Sequence, residues 1–565
     1  MADALSPPRS GPPCGVGPVG DGRRHTHASD SEGETEMKIY VINTGGTISC
    51  TGNPLTPMSA AAFATACQQI LNPIIKQQFP DLQITYVTDL TFPESSTGTL
   101  DSTNLQPTDW CLMANYILTH YGNCDGWVVL HGTDSMDFTG TALPFLLSSF
   151  SAQGFATAAL SKPVIITGSQ VPMFYQDPVS KQLSLNFNTD AFQNFCGAIA
   201  SAQTGIPEVC IYFDTQLLRG NRSLKTNASE FNAFSSPNYP ALGEYGITFR
   251  VDYNELLPPP VSYGVSLDNP AVLSAAVAQL NYISANINNF PVIQFNAFPA
   301  WYKFGSTTAA LIASLIDACV APPIGVKGLI LESYGEGNFP SGNPDKPSAG
   351  AIYQSLYKAN SPGNVVIVDC TQVIAGVVND NAYAAGAWLP AVGALNPADM
   401  TPMAALAKLM ILLTSAGYSA NKWSPAVVKR LFQLNLLGEM MDVSRLDSRG
   451  KAVLLAGQSL SALDGSASLI NDPTRGPVLQ KSDGTVLWKA INNPSAGQMP
   501  GQLVMQNDGN LVFYGRYNSA MWATNTGVPD GASSMLILGG SASDTSLTLT
   551  VYDYSDGNTT STIYP

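Results

Sequence analysis

Between residues 37 and about 440, short apolar runs alternate with longer stretches in which apolar residues recur at helical spacing. The apolar runs predict strands at 38–42, 82–87, 126–130, 163–167, 208–213, 291–295, 327–332 and 364–368. Helical spacing predicts helices that include 59–71, 107–120, 186–203, 306–319, 402–415 and 425–436. Strands and helices in this alternation indicate parallel βαβ units, and therefore mostly parallel, doubly wound α/β sheets.

Two changes in pattern divide the chain. Residues 232–270 are rich in Pro, Tyr and Gly and lack helical periodicity, which is typical of a connection between two lobes. After about 445, helical periodicity and cysteine disappear, and turn residues recur about every ten residues. The predicted organisation is a disordered leader over 1–36, an N-terminal α/β lobe with the active site over 37–235, a C-terminal α/β lobe over 236–445 and an all-β domain over 446–565.

Composition narrows the class of protein. The net charge of −15 argues against non-specific binding to nucleic acid, which depends on basic patches. The nine cysteines show no regular pairing, and the four histidines are too few for a histidine-rich metal site. Residues 1–36 are polar and rich in Pro and Gly, without the apolar core of a signal peptide, and no stretch is long enough for a membrane span. We therefore expect a cytoplasmic protein that has no metal site and does not bind membranes.

Candidate chemistry lies in two glycine-flanked threonines, Thr47 and Thr133, each of which follows a predicted buried strand. A threonine hydroxyl is a weak nucleophile until a base removes its proton. Asp134 supplies a carboxylate beside Thr133, and Lys225 supplies a cation that these groups could influence. From the residues alone, a turn that caps a helix and a surface lysine remain alternatives, and His131 is better explained as a buried, hydrogen-bonded histidine than as a base.

Five segments carry a family resemblance when taken together. They are NTGGTIS (43–49), LDSTNLQPTDW (100–110), LHGTDSMD (130–137), ITGSQVP (166–172) and RGNRSLKTNASEFNAFSSPN (219–238). In this order they resemble the L-asparaginases, and LNLLGEM (434–440) is similar to the end of the cytoplasmic, type I branch. The resemblance covers about 37–442 and implies the two-lobed α/β asparaginase fold.

The resemblance also implies a mechanism and a set of site residues. Thr47 would attack the side-chain amide of L-asparagine and form an acyl-enzyme, while Thr133, Asp134 and Lys225 would relay protons. Backbone N–H groups beside Thr47 and Thr133 would form the oxyanion hole. The family pattern further assigns substrate binding to Asp101, Ser102, Thr103 and Ser169. It implies an amidohydrolase that needs no cofactor and assembles as a homodimer or homotetramer.

The chain departs from the family pattern in the loop after Thr47. The family keeps a tyrosine there that hydrogen-bonds the nucleophile, and Leu55 stands at that place. The type I allosteric pocket is similar to 370–373, where Val373 replaces an expected cysteine. Three other functions stay open: an amidohydrolase that prefers glutamine, an ammonia-delivering component of a tRNA amidotransferase, which has a similar fold, and, because the tyrosine is missing, an inactive asparaginase fold that binds carbohydrate.

The all-β region carries one further pattern, in which alternate residues supply amides, a carboxylate, an apolar group and a phenol. These residues are Gln506, Asp508, Asn510, Val512 and Tyr514. Spacing alone favours a simple hairpin turn at 507–509. The pattern resembles the bulb-type mannose-binding lectins, however, which implies a β-prism fold with one weak site for mannose or a mannosylated glycan. An echo of the pattern at 472–480 and a third, barely recognisable copy near 547–552 keep too few of its residues to form further sites.

Overall fold

A computed structural model describes residues 36–362, 364–379, 382–463, 465–528, 533–543, 545–553 and 559–565. Apart from Glu36, the leader predicted over 1–36 lies outside the described residues. The description below concerns the compact unit Met37–Pro565. Within the described ranges, every helix is too short or too polar to cross a lipid bilayer.

The first half of this unit is built on an eight-stranded sheet. In spatial order its strands are Phe249–Val251, Gly243–Tyr245, Gln216–Arg219, Val209–Phe213, Val164–Thr167, Gly126–Leu130, Met37–Asn43 and Leu82–Tyr86. The last five pair in parallel, and the first three extend one edge in antiparallel pairing. Several central strands are buried along their whole length, which is why their sequences are continuous apolar runs.

A second, wholly parallel sheet contains Val292–Asn296, Gly328–Ser333, Val366–Thr371 and Ala394–Leu395. All eight predicted strands form, with ends displaced by no more than three residues. Four two-stranded pairs join Cys50–Thr51 to Thr56–Pro57, Ser149–Phe150 to Ala156–Ala158, Phe174–Gln176 to Leu183–Leu185, and Leu224–Lys225 to Phe234–Ser235.

Helices cover the sheets, and four of them were not among the predicted stretches. The α-helices span Ala60–Ala66, Asn72–Gln78, Pro107–Thr119, Met136–Leu146, Ala191–Ala202, Pro270–Asn286, Leu311–Val320, Ala351–Asn360, Pro402–Ser415 and Pro425–Gln433. A π-helical turn at Cys67–Leu71 joins the first two. The helix Met136–Leu146 is buried on nearly all of its residues, so it has no polar face and its sequence lacks an amphipathic period.

The segment predicted as a connection is partly ordered into the first sheet. Gly243–Tyr245 and Phe249–Val251 pair with each other, and Gly243–Tyr245 also pairs with Gln216–Arg219. Short strands of three residues carry too little pattern to be recognised in a sequence rich in Pro and Tyr. The first sheet therefore extends beyond residue 235, where the sequence places the end of the N-terminal lobe.

The region after residue 440 is strand-rich and contains three antiparallel sheets of four strands each. They are Arg445–Asp447, Ser534–Gly539, Thr548–Asp553 and Thr559–Tyr564; Val453–Leu454, Gln502–Met505, Leu511–Tyr514 and Ala520–Ala523; and Ser459–Ser461, Ala467–Asp472, Gly476–Lys481 and Val486–Lys489. Buried leucine and methionine side chains from all three sheets share one apolar cluster. This confirms an all-β region, while its assignment as a lectin prism stays a prediction.

A fully buried ion pair fixes the end of the α/β part. Lys408, on Pro402–Ser415, donates hydrogen bonds to the carbonyls of Phe432 (2.7 Å) and Leu434 (2.6 Å) and pairs with Glu439. The Glu439 carboxylate also accepts the backbone N–H groups of Leu436 and Leu437. Both charges are therefore compensated in a place that water does not reach.

Replacing Lys408 with methionine should destabilise the protein strongly, because Glu439 would keep a buried charge without its partner. We expect a loss of about 3–5 kcal/mol, seen as a lower midpoint of thermal unfolding. The exposed Lys358 provides the matched control, since Lys358→Met removes a lysine without burying a charge. Equal unfolding midpoints for the two variants would contradict a structural role for this pair.

Candidate functional site

The two glycine-flanked threonines meet at the carboxyl ends of neighbouring strands. Met37–Asn43 and Gly126–Leu130 are adjacent and parallel, so the turns that follow them lie side by side. Gly46 has φ 74°, and a Cβ atom built on it would lie 2.2 Å from the Cα atom of Gly132. Only glycine allows this backbone approach, which brings the turns of Thr47 and Thr133 into contact.

A third segment, 100–103, closes one side of this junction. The Gly46 N–H donates to the Leu100 carbonyl (3.0 Å), and the Leu100 N–H donates to the Thr44 carbonyl (2.7 Å). The buried Ser102 hydroxyl accepts the Asp134 N–H at 3.3 Å, while its carbonyl accepts the Ser135 hydroxyl at 2.7 Å. Ser102 is thus built into the site beside Asp134.

Lys225 completes a three-residue cluster. Its Nζ atom donates to Thr133 Oγ1 at 2.8 Å and to Asp134 Oδ1 at 2.7 Å. Lys225 and Thr133 are largely buried, whereas the Asp134 side chain is 55 % exposed. Because the Thr133 oxygen accepts from Lys225, its own proton is available for donation to a third group. The structure therefore brings together Thr133, Asp134 and Lys225.

Thr47 lies at the start of a 3-10 turn, Thr47–Ser49, on the other side of the Gly46 contact. No described residue hydrogen-bonds its hydroxyl, and within the described ranges no acceptor binds the backbone N–H of Thr47 or Thr133. Free N–H groups at the start of such a turn can bind an anionic oxygen. A free hydroxyl and two free N–H groups thus lie on the two turns that meet at the contact of Gly46 with Gly132.

The segment around Ser169 contacts both turns, at His131 and at Ile48. A Cβ atom on Gly168 would lie 2.4 Å from the His131 carbonyl oxygen, and the Met173 N–H donates to the Ile48 carbonyl at 3.1 Å. Ser169 is fully buried, and its hydroxyl donates to the Val171 carbonyl at 2.7 Å. Its side chain is therefore occupied, which leaves its backbone as the part that can face a ligand.

Asp101 and Thr103 lie at the exposed rim. The Asp101 carboxylate accepts both the N–H and the hydroxyl of Thr103, each at 3.0 Å, and so caps the short turn Ser102–Asn104. This carboxylate is directed at its own turn, and its charge would repel a second carboxylate. Ser102 is thus the one of these three whose surroundings best suit the binding of a substrate carboxylate.

His131 has a structural role. It is fully buried, its Nδ1 atom lies 2.6 Å from the Gly132 carbonyl, and its Nε2 atom lies 2.9 Å from the Thr139 hydroxyl. Burial lowers the pKa of this imidazole to about 4. The ring is neutral at neutral pH with both nitrogens occupied, as the sequence indicated.

Leu55 lies in the turn of a hairpin formed by Cys50–Thr51 and Thr56–Pro57. Its side chain is 54 % exposed and has no group that could hydrogen-bond Thr47. The loop after the Thr47 turn therefore provides no phenol at this position.

Sequence reasoning missed two buried carboxylates that support the site. Asp190, at the start of Ala191–Ala202, accepts the N–H groups of Gln170 (2.8 Å) and Val171 (3.0 Å) and so holds the segment that follows Ser169. Asp137, in the first turn of Met136–Leu146, contacts the backbone of Lys225. An aspartate at the start of a helix is common because it caps the helix, so the sequence gives no sign that it also holds another segment.

Matches to known proteins identify the family of the chain. Two family models match the chain, described as "Asparaginase, N-terminal" over 38–257 and "Glutaminase/Asparaginase C-terminal domain" over 306–426. L-asparaginase 1 of Escherichia coli K12 is 31% identical over 406 residues, which is 72% of this chain and 98% of that protein. The chain belongs to the asparaginase family.

Other relatives of this asparaginase-family chain differ in their names. The 60 kDa lysophospholipase of Mus musculus is 32% identical over 341 residues, 60% of this chain and 49% of that protein. One component of the glutamyl-tRNA(Gln) amidotransferase of Aeropyrum pernix is 27% identical over 427 residues, 72% of this chain and 80% of that component. The crystal structure of L-asparaginase I from Vibrio cholerae matches 72% of this chain and 99% of its own, with 28% identity and a TM-score of 0.50.

The family models end at residue 426, so they do not include the residues of the predicted sugar site. Residues 506–510 form the turn between Gln502–Met505 and Leu511–Tyr514, as the hairpin interpretation expected. Gln506 Nε2 nevertheless donates to the Tyr514 hydroxyl at 2.8 Å, which joins the two ends of the pattern. Asp508 Oδ1 accepts the Asn510 N–H at 2.9 Å, and the Val512 side chain is buried.

Proposed function

We propose that this protein hydrolyses the side-chain amide of L-asparagine to L-aspartate and ammonia. The observation that carries this proposal is the contact of Lys225 Nζ with both Thr133 Oγ1 and Asp134 Oδ1, beside the turn that presents Thr47. Such an arrangement links a hydroxyl, a carboxylate and an amine that can exchange a proton. It fits nucleophilic catalysis by a neighbouring hydroxyl.

In the first step, Thr47 Oγ1 forms a bond to the amide carbon of the substrate. Its proton passes to Thr133 while the ion pair of Lys225 and Asp134 takes up the Thr133 proton, and the same pair returns a proton to the amide nitrogen as the C–N bond breaks. Ammonia leaves, and an ester joins the substrate acyl group to Thr47. The free N–H groups of Thr47 and Thr133 would stabilise the negative oxygen, an effect worth about 10²–10³ in rate for each donor.

In the second step, water attacks the ester carbon. Lys225 and Thr133 take up the proton of the water, and the Thr47 oxygen regains a proton as its bond to the acyl group breaks. The sum of both steps is amide plus water to carboxylic acid plus ammonia. No oxidant or reductant enters this balance.

Substrate orientation follows from charge. The exposed Asp134 carboxylate can accept the substrate α-ammonium, and the buried Ser102 hydroxyl can donate to the α-carboxylate. Both groups lie within one hydrogen-bonded unit, since Asp134 N–H donates to Ser102 Oγ. A free amino acid with both charges suits this site better than a neutral amide.

Ammonia release by the full-length protein tests this proposal against the other functions. We expect turnover of L-asparagine, with L-glutamine turned over more slowly because its side chain is one methylene longer. Faster turnover of glutamine would replace the proposal with a glutaminase. Absence of ammonia from both substrates would indicate an inactive asparaginase fold that acts by binding.

We propose, as a second and independent function, that the strand-rich region binds mannose through the pattern at 506–514. Support comes from the polar groups that meet at one half-buried place. Asp508 Oδ2 and Asn510 Nδ2 have no hydrogen-bond partner among the described residues, and the Tyr514 hydroxyl accepts from Gln506. Such mixed donors and acceptors match the vicinal hydroxyls of a sugar.

Retention on mannose-agarose tests the second proposal. Asp508→Ala should abolish retention, because it removes a carboxylate that accepts sugar hydroxyls. Asp472→Ala is the control: Asp472 stands at the place of Gln506 in the echo, and Thr474 and Arg475 already occupy its carboxylate. Retention that survives Asp508→Ala, or that Asp472→Ala also abolishes, would contradict a site at 506–514.

A further inference from the structure

Asp137 is a buried carboxylate beside the proton relay that the proposed mechanism does not use. It lies in the first turn of Met136–Leu146, three residues after Asp134, and is 4 % exposed. Its Oδ1 atom accepts the N–H of Phe138 at 3.0 Å, and its Oδ2 atom accepts the backbone N–H of Lys225 at 3.4 Å. The same lysine therefore contacts Asp137 through its backbone and Thr133 and Asp134 through its side chain.

The strand that carries Lys225 is only two residues long, although its pairing continues at Thr226, whose N–H donates to the Ala233 carbonyl at 2.8 Å. Leu224–Lys225 pairs only with the equally short Phe234–Ser235 among the described strands. A two-stranded pair of this length is weak by itself. A buried, charged acceptor is therefore well placed to decide where the Lys225 backbone lies.

Other charged groups on the elements packed against this helix have partners of their own. Arg222 pairs with Asp399 at 2.7 Å, and Lys408 pairs with Glu439. His131 is neutral at neutral pH, and Asp109, on Pro107–Thr119, caps its own helix. The positive charge that acts on the Asp137 carboxylate is that of Lys225.

We propose that Asp137 is a positioning residue, whose ionised carboxylate holds the Lys225 backbone so that the amine reaches Thr133 and Asp134. The inference deepens the proposed amidohydrolase function and rests on it for its catalytic consequence. The geometric part, a carboxylate that anchors Lys225, does not depend on the substrate.

The anchor should weaken in acid. Burial raises the pKa of Asp137 to about 6, and hydrogen bonds from Lys225 and Phe138 oppose this shift. The carboxylate is therefore ionised above about pH 6 and becomes neutral as the pH falls below it. A neutral acid accepts a hydrogen bond less strongly, so Lys225 should lose its fixed position in the same range.

Hydrogen exchange at the Lys225 amide tests the anchor without any enzymatic assay. After correction for intrinsic exchange, protection in the wild type should fall about tenfold between pH 7.5 and pH 5. In Asp137→Asn, protection should be low at both pH values, while Asp137→Ala shows the effect of losing the acceptor altogether. Asp109→Asn is the matched control, because Asp109 is an equally buried carboxylate in the first turn of another helix and accepts a backbone N–H.

Steady-state kinetics test the catalytic consequence. Asp137→Asn should lower kcat about tenfold at pH 7.5 with little change in KM, and its kcat should lack the decline below pH 6 that the wild type shows. Asp109→Asn should keep the wild-type profile. Wild-type protection of the Lys225 amide in Asp137→Asn, or an unchanged acid decline of kcat, would overturn the proposal. A wild type that releases no ammonia would instead refute the proposed function, and the exchange measurement would still decide the anchor.

Discussion

Replacing Thr47 with alanine should lower kcat for L-asparagine by at least about 10³-fold, because the reaction would lose the oxygen that forms the acyl-enzyme. The substrate should still bind, since the groups expected to hold its charges, Ser102 and Asp134, lie on other segments. KM should therefore change much less than kcat. Initial rates of ammonia release from the purified variant give both quantities.

Two substitutions control for damage to the turn. Thr47→Ser keeps a hydroxyl and should retain part of the activity. Thr44→Ser changes a threonine in the same turn, whose hydroxyl donates to the Leu130 carbonyl at 3.0 Å, and it should leave the rate near that of the wild type. Undiminished hydrolysis by Thr47→Ala would show that another group attacks the substrate.

Replacing Lys225 with methionine should lower kcat by about 10²–10⁴-fold, the range associated with loss of a general acid or base. The methionine retains the approximate length of the side chain but contributes no proton to Thr133. Thr133→Val should have a similar effect, because it removes the oxygen that Lys225 contacts at 2.8 Å. The double variant should be little slower than either single variant, since the two groups act as one unit.

The exposed Lys76 is a suitable control, because Lys76→Met removes a lysine far in sequence from any segment of the site. Activity of Lys225→Met equal to that of Lys76→Met would exclude the relay. If the fold-loss of kcat in the double variant equals the product of the losses in the two single variants, Lys225 and Thr133 act independently.

Much of the α/β architecture was predictable because its strands are long and buried on both faces. Gly126–Leu130 and Val209–Phe213 are buried at every residue, so their sequences are unbroken apolar runs. The helix Met136–Leu146 was not predicted for the same reason. It is buried on nearly all sides, so its sequence lacks the alternation of apolar and polar faces that indicates a helix. The strand Gly243–Tyr245 escaped prediction because three residues of mixed polarity carry no period.

The part of the candidate site that lies at the ends of strands was predictable from the sequence. Thr47 and Thr133 follow adjacent parallel strands, and the Gly46–Gly132 approach follows from their glycines. Spacing alone did not place Lys225, which comes from a separate short strand, and its assignment rested on family resemblance. The role of Asp137 could not be predicted for a related reason. Its partner is the backbone N–H of Lys225, which is distant in sequence, and a backbone group looks the same for every residue type.

The most direct test of the central claim is mass spectrometry of the acid-quenched enzyme during turnover of L-asparagine. An acyl-threonine mechanism predicts a covalent adduct with the mass of one aspartyl group, located by peptide fragmentation on Thr47 and absent from Thr47→Ala. Lys225→Met, if it slows the second step, should accumulate the same adduct. Turnover with an adduct on a different residue would contradict the assignment of Thr47 as the nucleophile.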